Sequence, residues 1–417
     1  MRRFYTLFLY LLMPFVILRL FLRSRKNPDY RKRIAERFAV NKNLPQNIDV
    51  WLHGVSLGEI VAATPLLEEL LKLEKKVLVT TMTPTGSKQV LNKFANRVAH
   101  QYVPYDLPIF LNRFFKSINA KAGIIMETEI WPNLIHCAHA HGVQLGLVNA
   151  RISDKAYAQY TKTGKFFRTT LNKFNFIAAQ TETDAARYLQ LGVDKDRVSV
   201  IGNIKFDIQY PGLKLKDFSS LQNSWGKQRP VFIAASTHDN EEMQLLQNLN
   251  KLQRLVPDIL LLIAPRHIER FNNVYELSKK LGFNTALRSK VATINSRTDV
   301  VVLDSIGELL GFFKLSNYAF IGGSLVPIGG HNVLEPIVMD VPVFCGPFMQ
   351  NSKAICDELL AANAIVIAKD VDELLAQLIE MSTDDRVRVK QIANARAVLE
   401  ANRGVLGKYL DKVLSII

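Results

Sequence analysis

The sequence predicts an α/β protein with two doubly wound domains behind an N-terminal membrane-anchor helix. Three observations predict it. Short apolar runs alternate with amphipathic segments, as in βαβ units around a parallel sheet. The alternation lapses over residues 210–227, YPGLKLKDFSSLQNSWGK, and then starts afresh. Ahead of both halves, Phe4 to Leu18 runs FYTLFLYLLMPFVIL without a charge.

The anchor is assigned to residues 1–26. Its apolar run resumes after Arg19 as Leu20-Phe21-Leu22, which brings it near the length of a spanning helix. Arg2 and Arg3 precede the run, and Arg19, Arg23, Arg25, Lys26, Arg31, Lys32 and Arg33 follow it. Basic flanks of this weight keep the downstream side in the cytoplasm. No small-residue cleavage site follows, so the segment reads as retained.

The first domain, residues 27–209, carries strand-like runs at Ile48–His53, Lys76–Thr81, Lys121–Met126, Gln144–Val148, Phe176–Ala179 and Val198–Ile201. Helical patterns such as Glu59–Leu73, Pro132–His141 and Glu182–Leu191 lie between them. Residues 210–227 read as a linker. The second domain, residues 228–417, repeats the design with Val231–Ala235, Ile259–Ala264, Val300–Leu303, Tyr318–Ile321, Val341–Cys345 and Ala364–Ile367. It closes in helical segments from Val371 to Ile417. Two such domains imply a cleft between them, and open parallel sheets bind ligands beyond the carboxyl ends of their strands. The residues that follow each strand are therefore the ones to read.

Composition narrows the partners. The 53 Lys and Arg against 38 Asp and Glu give a formal charge of +15, which favours a polyanion. With an anchor ahead, an anionic membrane surface or a phosphorylated substrate fits better than nucleic acid. The three cysteines, Cys137, Cys345 and Cys356, show no C-x-x-C spacing, against a disulfide framework or structural zinc. The second half has no G-x-G-x-x-G and no Walker lysine, which weakens dinucleotide and P-loop readings.

The first strand end, WLHGVSLGEI, contains a literal G-x-S-x-G around Ser56. A nucleophile elbow needs an oxyanion-hole amide from an earlier strand, and only the anchor and a basic stretch lie upstream. The turn makes better sense for Glu59, which opens a helix where free amides and the dipole favour a carboxylate. A bare helix-start acid would look the same. Three other strand ends favour chemistry. Met126-Glu127-Thr128-Glu129 places two acids on one face if extended. Gly202-Asn203-Ile204-Lys205 ends the last strand of the first half on a cation facing the linker. Met82-Thr83-Pro84-Thr85-Gly86 offers hydroxyls at a helix start, best read as a cap.

In the second half, Gly322-Gly323-Ser324 leads a strand into a loop and then a helix at His331-Asn332-Val333-Leu334-Glu335, whose amides suit an anion. Ala264-Pro265-Arg266 ends another strand on a fixed cation. Asp304-Ser305-Ile306-Gly307-Glu308 is a further helix start. Together they point to a nucleotide site. Asp194-Lys195-Asp196 is a literal D-x-D, but it sits in a polar turn and reads as solvated. His136, His139 and His141 have no matching carboxylate and read as surface.

HGVSLGE, TTMTPTG, METEIWPN, NARIS, GNIKFD, APRHIERF and GGSLVPIGGHNVLEPI occur in this order, and the chain that carries them resembles the bacterial 3-deoxy-D-manno-octulosonic acid (Kdo) transferases. The resemblance runs from the anchor almost to the C-terminus. It implies a GT-B glycosyltransferase on the cytoplasmic face of a Gram-negative inner membrane. It implies transfer of Kdo from CMP-Kdo to a phosphorylated lipid A precursor, lipid IVA, with inversion and with no cofactor or metal. The resemblance puts the general base at Glu59 and transition-state stabilisers at Glu127 and Lys205. It puts CMP contacts at Pro265, Arg266, Ile306, Gly307, Glu308, Asn332, Val333, Leu334 and Glu335. Two rivals remain at this point: a nucleotide-sugar epimerase, which would have no use for an anchor, and a non-catalytic membrane-surface binder, which would not need acids at strand ends.

Overall fold

The computed structural model describes residues 1–26, 28–40, 44–207 and 218–417, the side chains of Lys26 and Ala354 excepted. Residues 210–217 of the expected linker lie outside it. The chain divides into two compact units: residues 1–207 with 402–417, and residues 208–401.

In the first unit, β1 (Val50–His53), β2 (Val77–Thr81), β3 (Ala99–Tyr102), β4 (Ala122–Met126), β5 (Gln144–Ala150), β6 (Phe176–Ala179) and β7 (Val198–Val200) form one parallel sheet. Their order is β3-β2-β1-β4-β5-β6-β7. The chain enters at the centre, moves out through β2 and β3, and returns to pair β4 with the other side of β1. That reversal opens a crevice at the carboxyl ends of β1 and β4. Side chains alternate across the sheet. Trp51 joins a core with Phe114, Phe115, Leu134 and Tyr188. Val50 and Leu52 join the opposite core with Ile60, Leu66, Val79 and Tyr409.

The second unit repeats the plan. Here β8 (Val231–Thr237), β9 (Leu260–Pro265), β10 (Thr285–Leu287), β11 (Val300–Val302), β12 (Tyr318–Ile321), β13 (Val343–Cys345) and β14 (Val366–Ile367) lie in the order β10-β11-β9-β8-β12-β13-β14. All of these pairings are parallel. The chain reverses between β8 and β12.

Three expectations are corrected. The edge strands β3 and β10 were not anticipated: AHQY and TAL are short and half polar, as edge strands usually are. Part of the expected linker is ordered, since Ser219–Trp225 is a helix with Leu221 and Trp225 buried. The last helix, Val405–Leu414, belongs to the first unit and not to the second. Its Val405, Leu406, Tyr409 and Val413 complete the core beneath Leu52 and Val79. Polar contacts fix it: Asn402 Oδ1 accepts from the Asn203 amide at 3.1 Å, Asp207 Oδ2 accepts from the Leu406 amide at 2.7 Å, and Tyr409 Oη donates to the Gly202 carbonyl at 2.8 Å.

Asp207→Ala removes the acceptor from a buried amide, which costs about 1–3 kcal/mol. The expected outcome is a lower calorimetric melting temperature for the variant, with the fold otherwise intact.

Candidate active site

The helix Leu57–Lys72 starts at Ser56, whose Oγ accepts weakly from the Glu59 amide at 3.4 Å. The same hydroxyl donates to Glu59 Oε1 at 2.7 Å, and Glu59 Oε2 accepts from the Val55 amide at 2.7 Å. Ser56 is thus a helix cap that holds a carboxylate. The amides were expected to favour ionisation, but the net shift is upward: burial raises the Glu59 pKa and outweighs both hydrogen bonds. Thr83 caps the next helix by accepting from the Gly86 amide at 3.2 Å, as the capping reading anticipates. Neither Gly54 nor Gly58 has a positive φ, so the turn does not rest on glycine's conformational freedom.

Across the crevice, β4 is followed by Glu127, whose φ of 54° places it in the left-handed region. That turn defeats the expectation that Glu127 and Glu129 share one extended face. Glu127 is buried, and its carboxylate receives Lys205 Nζ at 2.7 Å and Arg151 Nε at 3.3 Å. Lys205 therefore faces Glu127 and not the linker. Glu129 turns elsewhere and accepts from Trp131 Nε1 at 2.8 Å. Burial, with the charges of Glu59 and Glu127, raises its pKa to about 7. Asn149, itself at φ 55°, holds the Lys205 segment by accepting from the Ile204 amide at 3.1 Å. Glu59 is also close enough to feel the charges of Glu127 and Lys205. The structure thus gathers Glu59, Glu127, Glu129 and Lys205 at one switch point.

In the second unit, Pro265, Arg266, Ile306, Gly307 and Glu308 line a cavity of about 270 Å³ with Ala264, Phe271 and Phe312. Among the described residues no carboxylate pairs with the Arg266 guanidinium. Glu308 is less free: Ser305 Oγ donates to it at 2.6 Å and Arg288 pairs with it at 3.3 Å. Asn332, Val333, Leu334 and Glu335 do not line this cavity. Asn332 lies just ahead of the short helix Leu334–Val338, accepting from the Leu334 amide at 3.1 Å and donating to Glu335 Oε1 at 3.1 Å. Burial raises the Glu335 pKa, opposed by Asn332 and by the charge of Arg266.

The glycine loop after β12 is not an open anion receptor. Its amides at Gly323, Ser324 and Leu325 already donate to Glu241, at 2.7, 3.0 and 2.9 Å, and the His238 amide adds a fourth bond at 2.9 Å. Beside it, His238 Nε2 and His331 Nε2 lie 2.8 Å apart, with the rings stacked. Burial, with Arg266 and the neighbouring histidines, lowers the His331 pKa to about 4, so this ring is neutral at neutral pH.

A family profile described as "3-Deoxy-D-manno-octulosonic-acid transferase (kdotransferase)" matches residues 32–208. The chain is 37% identical over 98% of its length to the 3-deoxy-D-manno-octulosonic acid transferase of Haemophilus influenzae, covering 97% of that protein. The chain belongs to the Kdo transferases. It is also 31% identical, over 98% of its length and 97% of the other's, to the 3-deoxy-D-manno-octulosonic acid transferase of Bordetella pertussis. In fold it matches the UDP-GlcNAc 2-epimerase of Neisseria meningitidis with a TM-score of 0.57, at 15% identity, over 88% of this chain and 99% of that one. Its two Rossmann-like sheets are those of the GT-B fold.

In this Kdo transferase, sequence reasoning missed Arg151, Asn149, Glu241 and the His238–His331 pair. NARIS and GGHN drew notice as motifs, but a partner distant in sequence cannot be read from either. Asp194 and Asp196 lie in an exposed turn, Asp194 paired with Arg197 at 3.4 Å, which is the solvated arrangement expected. His136 is half-buried rather than on the surface, and burial lowers its pKa to about 4. Glu241→Ala strands four amides at once, and each costs about 1–3 kcal/mol unless water enters. The expected result is a loss of several kcal/mol from the second unit, read by urea unfolding, while Glu335→Gln changes stability by less than about 1 kcal/mol.

Proposed function

We propose that this chain transfers Kdo from CMP-Kdo to the phosphorylated lipid A precursor lipid IVA, with inversion at the anomeric carbon, using Glu59 as general base. The observation that carries the reading is the placement of Glu59. Its carboxyl is buried at the β1–β4 reversal, held by Ser56 and Val55, beside Glu127 with its two cations. Burial makes it a stronger base than a solvated glutamate.

In the proposed reaction Glu59 takes the proton of an acceptor hydroxyl as that oxygen bonds to the anomeric carbon of Kdo. The carbon–oxygen bond to the CMP phosphate breaks, and its electron pair leaves with the phosphate. Attack from the face opposite CMP inverts the centre. Lys205 and Arg151 supply positive charge at the same crevice, with Glu127 setting their positions. Arg266, Ile306, Gly307 and Glu308 at their cavity, with Pro265, would receive the nucleotide, and Arg266 would meet the charge that develops on the departing phosphate. Asn332, Val333, Leu334 and Glu335 would complete the site, with Glu335 suited to ribose hydroxyls. We assign no metal to the step, because the leaving group is already an anion matched by a fixed cation. The charge of +15 and the apolar first helix support work at an anionic inner-membrane surface, with the catalytic units on the cytoplasmic side.

Glu59→Gln is expected to lower transfer about 10²–10⁴-fold, the usual scale of general-base catalysis, with CMP affinity unchanged by calorimetry. Ser56→Ala keeps substantial activity at its optimum. It removes a bond to the ionised carboxyl, so the Glu59 pKa rises and the acid limb of the pH–rate profile moves to higher pH. An inactive but folded Ser56→Ala beside an active Glu59→Gln would return the hydrolase reading.

Further measurements test the rivals and the metal-free step. CMP release should depend on the lipid acceptor; epimerisation without acceptor would favour the epimerase, and tight lipid binding without turnover would favour the membrane-surface binder. EDTA should leave the rate unchanged, and a loss restored only by Mg²⁺ would contradict the metal-free step.

A further inference from the structure

The first helix, Arg2–Lys26, is the one helix among the described residues long and apolar enough to cross a membrane. At ~1.5 Å per residue it is ~37 Å long, so length permits a crossing. How its two ends are held argues otherwise.

Phe4, Phe8, Leu11, Phe15, Leu18 and Leu22 recur at alternating spacings of four and three residues, which puts them on one face, and all six are exposed. The opposite face rests on the first unit: Tyr5, Leu9, Met13 and Val16 are half-buried, and Leu20 and Ser24 are buried. At the N-terminal end, Tyr5 Oη donates to Asp106 Oδ2 at 2.8 Å, the Tyr5 ring packs on Phe166 at 5.7 Å, and Thr6 Oγ1 donates to Asn133 Oδ1 at 3.1 Å. Asp106 is itself built into the body, accepting from the Leu134 and Asn133 amides at 2.6 and 3.3 Å. At the other end, Arg31 Nε donates to Ser24 Oγ at 2.6 Å. Two residues on, Arg33 donates to Ser87 Oγ at 3.2 Å and to the His100 carbonyl at 2.9 Å. Arg37 then reaches the Met82 carbonyl at 2.9 Å.

A spanning helix separates its ends by the ~30 Å of hydrocarbon. Here both ends are tied to the same unit. We propose that Arg2–Lys26 lies in the plane of the membrane, with Phe4, Phe8, Leu11, Phe15, Leu18 and Leu22 sunk into one anionic phospholipid leaflet, and does not cross it. Arg2, Arg3, Arg19, Arg23 and Arg25, with no acid on the helix, complement anionic head groups. The inference rests on the reading that this protein is membrane-bound, and it replaces the expected spanning anchor with an in-plane one. It also gives the helix a second role. Asp106 caps the helix Pro132–Ala140, which opens just beyond Glu127–Trp131, so the leaflet fixes the height of that loop.

The test uses Arg2→Cys in the full chain, where Cys137, Cys345 and Cys356 are buried. Intact spheroplasts and sealed inverted membrane vesicles are treated with a membrane-impermeant maleimide, and detergent-solubilised protein gives the full extent of labelling. The expected result is labelling in inverted vesicles at near the detergent level and none in spheroplasts, with the protein kept in the membrane fraction through a high-salt wash. Labelling from the spheroplast side, or from neither side while detergent restores it, overturns the in-plane helix and leaves the membrane reading standing. Release of the protein by salt overturns the inserted helix and leaves only a peripheral, electrostatic attachment.

Discussion

A carboxylate buried at the end of a strand requires partners, because removing one partner of a buried charge pair costs about 3–5 kcal/mol. Glu127 shows how far that requirement reaches. It sits in a left-handed turn that non-glycine residues adopt at a cost of about 1–3 kcal/mol, and such strain persists only where the surroundings dictate it. Lys205 and Arg151 are those surroundings. To bring Lys205 to the crevice, the segment after β7 is held by Asn149, Asn402 and Tyr409. The return of the C-terminal helix to the first unit therefore serves the same charge cluster.

Four glutamates of identical chemistry are driven to different tasks by their surroundings. Glu59 is buried against one hydroxyl and one amide, which leaves it a raised pKa and a base's character. Glu129, deprived of cations and near two other acids, is carried to about 7. Glu127 is bracketed by positive charge. Glu241 is taken by four amides and shapes the loop after β12 in place of an external anion. Separating acids in this way gives one chain a carboxyl of raised pKa, a charge-paired carboxylate and a structural brace.

The first helix joins the same economy of contacts. Its inner face is fastened through Tyr5 to Asp106, and Asp106 caps the helix that follows the Glu127 turn. The docking of the first helix and the start of the helix after the Glu127 turn thus share one buried carboxylate, pushed up to about 6 by its burial.

The sequence by itself determined the two doubly wound units, most of their strands, the helix start at Pro132, the helix that carries Glu59 in its first turn, and the family. Buried parallel strands must be apolar on both faces, and caps and turns are local, so one stretch of chain records each. It also marked Glu59, Glu127, Lys205 and Arg266 by their places after strands. Tertiary structure alone decided the rest. The partners of Glu127 lie 24 and 78 residues away along the chain. Three of the four amides that Glu241 occupies lie more than 80 away. The last helix reads as another amphipathic helix whichever unit it covers. The edge strands β3 and β10 owe their form to a neighbour on one side. The first helix reads as a spanning anchor in the sequence, and only the folded chain brings Tyr5 onto Asp106, 101 residues on. Hydropathy measures how apolar a segment is, but which way it lies is fixed by contacts that only the folded chain assembles.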